Sequence, residues 1–347
     1  MFSKKKLTLC VLTLGIALSA CQDHQKSTDS KDHQEVKVDN ALDISLDSTQ
    51  MMAHLKAFEQ IATQHQGNRA VGSSGGIASG DYILAYAKQL GYATQVQSFK
   101  NHQQLTGRNI IVTIPGTLKE PQLLIGAHYD SVKMGPGIND NASGVALLLE
   151  LMRSLASSKQ PLQHTIYLAF WDSEEEGIAG SRDYVAKLSP EQLQQIKAYI
   201  NVDMVGTKDP EILIADGDRS SIDEMEKMLR ERGMTENDFK PIIEGLRSIP
   251  VHAKDAALEN SLQQFFKDKN LKIKEDVSIL TASDTAAFLG KVPVTGLVLF
   301  NEKLQGDELE FAPCYHKACD TLELIDPESM KLAGEALMHL LRSLDAQ

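Results

Sequence analysis

From about residue 46 onward, runs with apolar residues at every second position alternate with runs of helical spacing. Residues 50–65 and 78–91 carry helical patterns, the second closing at Gly91, and β-rich runs follow at 94–99, 108–114 and 122–128. Residues 142 to 157 predict a long helix in which Leu147, Leu148, Leu149, Leu151 and Met152 leave almost no polar face, the mark of a buried helix. Strands are expected at 164–171, where His164 leads into Thr165-Ile166-Tyr167-Leu168-Ala169-Phe170-Trp171, then at 197–203 and 294–300, and a helix from 327 to about 344 closes the pattern. Strands interleaved with helices predict an α/β fold, a three-layer sandwich with a central mixed, mostly parallel twisted sheet flanked by helices. Residues 216–275 are the least regular, with helices expected at 221–232 and 257–269 and a loop between them holding Pro241 and Pro250.

The first residues follow a different logic. Lys4, Lys5 and Lys6 precede a short apolar run from Leu9 to Ala17, the layout of an export signal. Leu18-Ser19-Ala20-Cys21 resembles the lipobox of bacterial lipoproteins, which implies cleavage after residue 20 and lipidation of Cys21; the alternative is an ordinary secretory signal with a chance cysteine. Residues 22 to about 45 are polar and charged and bury too little to offset their ordering, so residues 21–45 read as a flexible tether and 46–347 as a single domain. The expected product is exported and held at a lipid bilayer by an acyl chain, and Gln22-Asp23 departs from the inner-membrane retention signal, which points to the outer membrane. Cys314 and Cys319 then remain in an oxidising compartment, where a disulfide is expected; two lone thiolates make a poor structural zinc site.

Composition excludes one class of partner. A formal charge of -12 over 347 residues, which becomes more negative once the lysine-bearing signal is removed, opposes binding to nucleic acid. With 42% hydrophobic residues the chain can bury a sizeable core.

Candidate chemistry gathers at five places, each just after a strand or in a tight loop. Gly126-Ala127-His128-Tyr129-Asp130-Ser131 ends an apolar strand, and residues i and i+2 of an extended chain face the same side, so Asp130 can orient the His128 ring for a metal. The plainer reading is a strand-end histidine. Asn139-Asp140-Asn141-Ala142-Ser143-Gly144 leads into the buried helix; Asp140 or Asn141 caps it, or Asp140 bridges two metals. Trp171-Asp172-Ser173-Glu174-Glu175-Glu176-Gly177 packs acids behind a core strand, either as a solvated turn or as a metal ligand beside a general base. Asp203 ends another apolar strand, and Cys314-Tyr315-His316-Lys317-Ala318-Cys319 holds a histidine inside a short loop.

In this order the motifs His128-x-Asp130, Asn139-Asp140-Asn141-x-Ser143-Gly144, Glu174-Glu175-x-Gly177, Asp203-Met204 and Cys314-Tyr315-His316-x-x-Cys319-Asp320-Thr321 resemble the co-catalytic di-zinc aminopeptidase family. Asn68-Arg69-x-x-Gly72-Ser73 and Ser283-Asp284 also look like family features. The resemblance implies two zinc ions, one held by His128 and Asp203, the other by Glu175 and His316, with Asp140 between them. It further implies Glu174 as general base, Asp130 as the partner of His128, Tyr315 as an oxyanion donor, and peptide or protein N-termini as substrate. Two positions depart from the pattern: Glu176 stands where relatives often carry an apolar residue, and Thr285 where many carry histidine or tyrosine. Glutaminyl cyclases share the fold with a single zinc, and a non-catalytic binding lipoprotein is the remaining alternative. Residues 216–275 are expected to shape the substrate pocket.

Overall fold

The computed structural model describes residues 42–158, 160–301, 303–305 and 308–347. The expected export signal, Cys10, the lipidation site Cys21 and residues 22–41 of the tether lie outside the described residues. Two helices open the fold, α1 (Ser48–Gln64) and α2 (Ser74–Gln89), followed by β1 (Ala93–Lys100), β2 (Thr106–Ile114), β3 (Leu118–His128), α3 (Ser143–Ser157) and β4 (His164–Trp171). Then come α4 (Ala179–Ala186), α5 (Pro190–Gln194), β5 (Ile196–Asp203), β6 (Glu211–Ala215), α6 (Ser220–Glu231), α7 (Glu236–Arg247) and α8 (Asp255–Asp268). The chain closes with β7 (Ile273–Asp276), β8 (Val294–Phe300), the small pair β9 (Lys303–Gln305) and β10 (Glu308–Glu310), and α9 (Pro327–Asp345).

Eight strands form one mixed sheet in the order β1-β2-β4-β3-β5-β8-β6-β7. Its centre, β4-β3-β5-β8, is parallel, and β1, β2 and β6 run antiparallel to the strands beside them in that centre or at its edge. Period-two burial explains why these strands read as almost continuously apolar. Ile110, Val112, Leu123, Ile125, Ile166, Leu168, Ala198 and Ile200 enter the core beneath α1, α3 and α9. The residues between them, among them Ile111, Leu124, Ala169, Tyr199 and Trp171, enter a second core with α4, α6 and α7. Both faces are thus covered, giving the three layers expected.

The expected helix over 142–157 is observed, with Val145 through Met152 all buried. Three expectations differ. Helix α2 begins at Ser74, four residues early, because Ser73 accepts the Gly76 N–H at 3.0 Å and caps it. Glycine is needed there: a Cβ on Gly75 would sit 2.0 Å from the Asn68 carbonyl oxygen. The loop expected around Pro241 is helix α7, capped by a reciprocal Thr235–Asp238 box and anchored by buried Phe239 and Ile243 one turn apart, which outweigh the lost N–H. Finally, residues 42–45, assigned to the tether, pack on the body. Leu42 and Ile44 are buried, and Arg342 donates to the carbonyl oxygens of both at 2.7 Å. Two apolar side chains and a cationic clamp suffice to order so short a strap.

Candidate metal centre

Three adjacent parallel strands deliver the chemistry. β3 ends at His128, β4 at Trp171 just before the acidic loop, and β5 at Asp203. The chain leaves β3 for a helix on one face and β4 for helices on the other, so a crevice opens at their carboxyl ends, where ligands gather in such sheets. Asp140 lies at the centre of that crevice. Its Oδ1 is 3.2 Å from His128 Nε2 and its Oδ2 is 3.2 Å from His316 Nε2. Asp203 Oδ1 is 3.5 Å from the same His128 nitrogen, and Glu175 Oε2 is 3.1 Å from that of His316. The arrangement is two half-sites, each with one histidine and one carboxylate of its own, sharing Asp140. Ligand atoms of His128, Asp140 and Glu175 all fall within 4.8 Å of one another.

Asp130 sits beneath this pair, fully buried. Its Oδ1 is 3.4 Å from His128 Nδ1, and its two oxygens accept the backbone N–H groups of Glu174 and Glu175 at 3.1 and 3.3 Å. One carboxylate therefore sets both the His128 ring and the turn that carries the glutamates. The two readings left open for 139–144 divide between neighbours: the Asn141 side chain accepts the Gly144 N–H at 2.9 Å and closes the helix start, while the Asp140 carboxylate faces the histidines.

The turn that presents Asp140 is held by groups far away in sequence. Asp320 accepts the backbone N–H groups of Asn139 and Asp140 at 2.9 and 3.1 Å. Asn139, Asn141 and Ser143 each accept a backbone N–H from 204–206, which fixes Asp140 against the end of β5. Buried Arg69 donates to the carbonyl oxygens of Tyr129, Pro136 and Gly137. Ser283 donates to Asp203 Oδ2 at 2.7 Å and itself accepts from Asn201, whose side-chain oxygen in turn accepts from Tyr199. Arg69 and Ser283 stand in motifs noted from the sequence, but nothing local reveals what they hold. A second acidic group, Asp216, Asp218 and Glu259, is of another kind: Asp216 and Glu259 accept the N–H groups of Gly217, Asp218, Ser220 and Ser221 and close a turn.

A disulfide joins Cys314 to Cys319 around His316. Tyr315 stacks on the His316 ring at 3.8 Å and meets Phe311 edge-on. Cys314 and His316 both hold left-handed backbone, φ 65° and 57°, a conformation with a cost for side-chain-bearing residues. Across so short a loop the cross-link contributes about 2 kcal/mol on the chain-entropy model. Replacing both cysteines by serine is therefore expected to lower the melting temperature by a few degrees and to weaken metal uptake, read by thermal unfolding and zinc titration. Unchanged uptake would show that the loop holds His316 without its cross-link.

The electrostatics call for a cation. Burial, then repulsion from Asp140, pushes the Glu175 carboxyl up to about 7; burial does the same to Asp284, while Glu174, buried beside Asp284, Asp203 and Glu175, stands well above its ordinary range. Burial opposes protonation of both histidines, but Asp203, Asp130 and Asp140 hold His128 well above 6.5, and Asp140 and Glu175 lift His316 to about 10. Buried Glu175 Oε1 and Asp203 Oδ1 have no hydrogen-bond partner. Orphaned carboxylate oxygens facing paired imidazoles suit zinc, which takes nitrogen and oxygen ligands together.

These shifts predict how the metal-stripped protein responds to pH. A carboxyl whose folded pKa is raised adds stability at low pH that is lost as pH rises from about 4 to about 7. A histidine raised above 6.5 adds stability that is lost as pH climbs through its folded value. Both act in one direction, so the EDTA-treated chain is expected to melt at progressively lower temperature from about pH 5 to about pH 8. Zinc removes the trend, since metal ligation favours the deprotonated groups. An EDTA-treated protein with a flat profile contradicts this account.

Fold and cluster together place the chain among three-layer α/β proteins that gather histidines and carboxylates at the ends of parallel strands. It belongs to peptidase family M28, whose model matches residues 109–341. Its sequence is 32% identical over 296 residues to leupeptin-inactivating enzyme 1 of Streptomyces exfoliatus, covering 85% of this chain and 61% of that protein. It is 31% identical over 276 residues to a probable lipoprotein aminopeptidase, LpqL, of Mycobacterium tuberculosis, covering 74% of this chain and 51% of that one. The chain thus spans between about half and three fifths of these relatives' length. Among solved structures, a zinc aminopeptidase from Bacillus subtilis superposes with TM-score 0.63 at 17% identity, over 86% of this chain and 95% of that one. A glutaminyl cyclase from Porphyromonas gingivalis does so with TM-score 0.60 at 20% identity, over 86% and 98%. These two likenesses concern the fold alone.

Proposed function

We propose that the chain is a zinc-dependent aminopeptidase that hydrolyses the first peptide bond of peptides or proteins. The observation that carries this reading is the shared Asp140, with one oxygen beside each histidine and a further carboxylate, Asp203 or Glu175, completing each half. One ion is assigned to His128, Asp203 and Asp140, the other to Glu175, His316 and Asp140. Bound there, two zinc ions supply a water acidic enough to lose its proton near neutral pH and a Lewis acid for the peptide carbonyl.

The remaining steps belong to the side chains. Glu174, raised in pKa by burial beside other acids, takes the proton of the attacking water and delivers it to the leaving amine. Asp130 keeps His128 Nε2 turned towards Asp140 by holding the opposite ring nitrogen. Tyr315, stacked on His316, is the donor for the oxyanion of the tetrahedral intermediate. The name of the lipoprotein relative and the Leu18–Cys21 motif support export and an acyl anchor at Cys21, with residues 22–41 as tether.

The test compares a panel of free-amine peptides with their N-acetylated twins, using zinc-loaded protein of measured metal content. Loss of the first residue from free-amine peptides alone, at two zinc ions per chain, supports the proposal. Equal cleavage of the acetylated set transfers the chain to an endopeptidase or carboxypeptidase. One zinc per chain together with cyclisation of N-terminal glutamine transfers it to the cyclases, and inertness in every assay to a binding protein.

A further inference from the structure

Two acids of the loop after β4 point opposite ways. Ser173 holds left-handed backbone, φ 63°, between Asp172 and Glu174, so Glu174 and Glu175 enter the metal centre while Asp172 turns back beneath α2. There the Asp172 side chain is 4% exposed. Its Oδ2 lies 2.9 Å from the Tyr129 hydroxyl and accepts the Arg108 backbone N–H at 2.9 Å, and its Oδ1 is buried without a partner. Tyr129, fully buried, stands between His128 and Asp130 but faces the other side of the strand, and its hydroxyl also reaches the Arg108 carbonyl at 3.0 Å. Helix α2 comes down on this group through Gly80: a Cβ there would lie 3.2 Å from the Tyr129 hydroxyl and 2.7 Å from the Arg108 guanidinium.

A buried carboxylate with one unpaired oxygen is a costly component for a core that apolar residues could fill. Its place gives the reason. β3 supplies His128 to one half-site and the loop after β4 supplies Glu175 to the other, and these segments are joined above by Asp130 and below by Tyr129 and Asp172. We infer that the Tyr129–Asp172 contact is a positioning pair that fixes the spacing between the two half-sites and the direction of Glu174. The inference rests on the two-zinc reading of the centre.

The test is a double-mutant cycle on the zinc-loaded protein with Tyr129→Phe and Asp172→Asn, each nearly conserving volume. Expected is a 10–100-fold loss in zinc affinity or in kcat for each single variant, the range for partners that orient metal ligands, with KM little changed. The double variant is expected to lose no more than the worse single one, because both remove one contact. Stepwise zinc titration reads the effect without any assay of activity, so it stands or falls separately from the choice of substrate. A lower melting temperature with unchanged zinc affinity and unchanged kcat would mean that the pair only packs the core. Additive losses would mean that the two residues act separately; either result overturns the proposal. If Asp172→Asn fails to fold, Tyr129→Phe alone decides by the same split between stability and metal affinity.

Discussion

Glu174→Gln is expected to lower kcat by about 10²–10⁴-fold while the protein still binds its full complement of zinc. The geometry separates this residue from its neighbour. Glu175 lies 3.1 Å from His316 and lies in the cluster of candidate ligands, whereas Glu174 meets the centre as an additional buried acid whose proton affinity is raised by burial and by Asp284, Asp203 and Glu175. Glutamine keeps the shape and the backbone N–H bond to Asp130 but cannot take a proton. Turnover near the wild-type rate with Glu174→Gln would remove it as the base; loss of zinc in that variant would instead make it a ligand. The same substitution at Glu175 should show the opposite split, with zinc lost first.

Asp140→Asn reaches both half-sites at once. Zinc content is expected to fall from two ions to one or none, with activity lost by more than the 10–100-fold typical of an outer partner. The fold should survive, because Asp320 holds the turn through the backbone N–H groups of 139 and 140 rather than through the Asp140 side chain. The metal-free variant is even expected to melt at or above the metal-free wild type, since a buried negative charge has been removed from among Asp203, Glu174 and Glu175. Metal-dependent stabilisation should vanish with it. Two zinc ions bound with unchanged affinity in Asp140→Asn would refute the shared-carboxylate arrangement.

Much of the fold was legible because the information is periodic and local. The strands at 164–171, 197–203 and 294–300 and the helix at 142–157 stand where their side-chain spacing puts them, since burial on two faces of a strand, or all round a helix, demands apolar residues at fixed intervals. The strands at 211–215 and 273–276 are too short to carry such a signal, and in α7 a proline masks a helix that Phe239 and Ile243 hold down from the core side. The strap at 42–45 was hidden by polar neighbours, because only the surface of α9 shows that Leu42 and Ile44 have somewhere to be buried.

The candidate ligands were also legible, each as a metal-binding side chain at the end of an apolar run. What they do to one another was not. Ser283 meets Asp203 across 80 residues, Asp320 meets Asn139 across 181, and Arg69 closes on carbonyls more than 60 residues away. These distances depend on the order β4-β3-β5-β8, which no local pattern encodes. The sequence by itself determined which residues lie at strand ends and which kind of chemistry they offer, because period and residue type are properties of neighbours in the chain. Only the tertiary structure decided that Asp140 stands between two histidines, that Asn141 rather than Asp140 closes the helix start, and that Asp172 turns away from Glu174, because side-chain direction is set by contacts between segments that meet only after the sheet has formed.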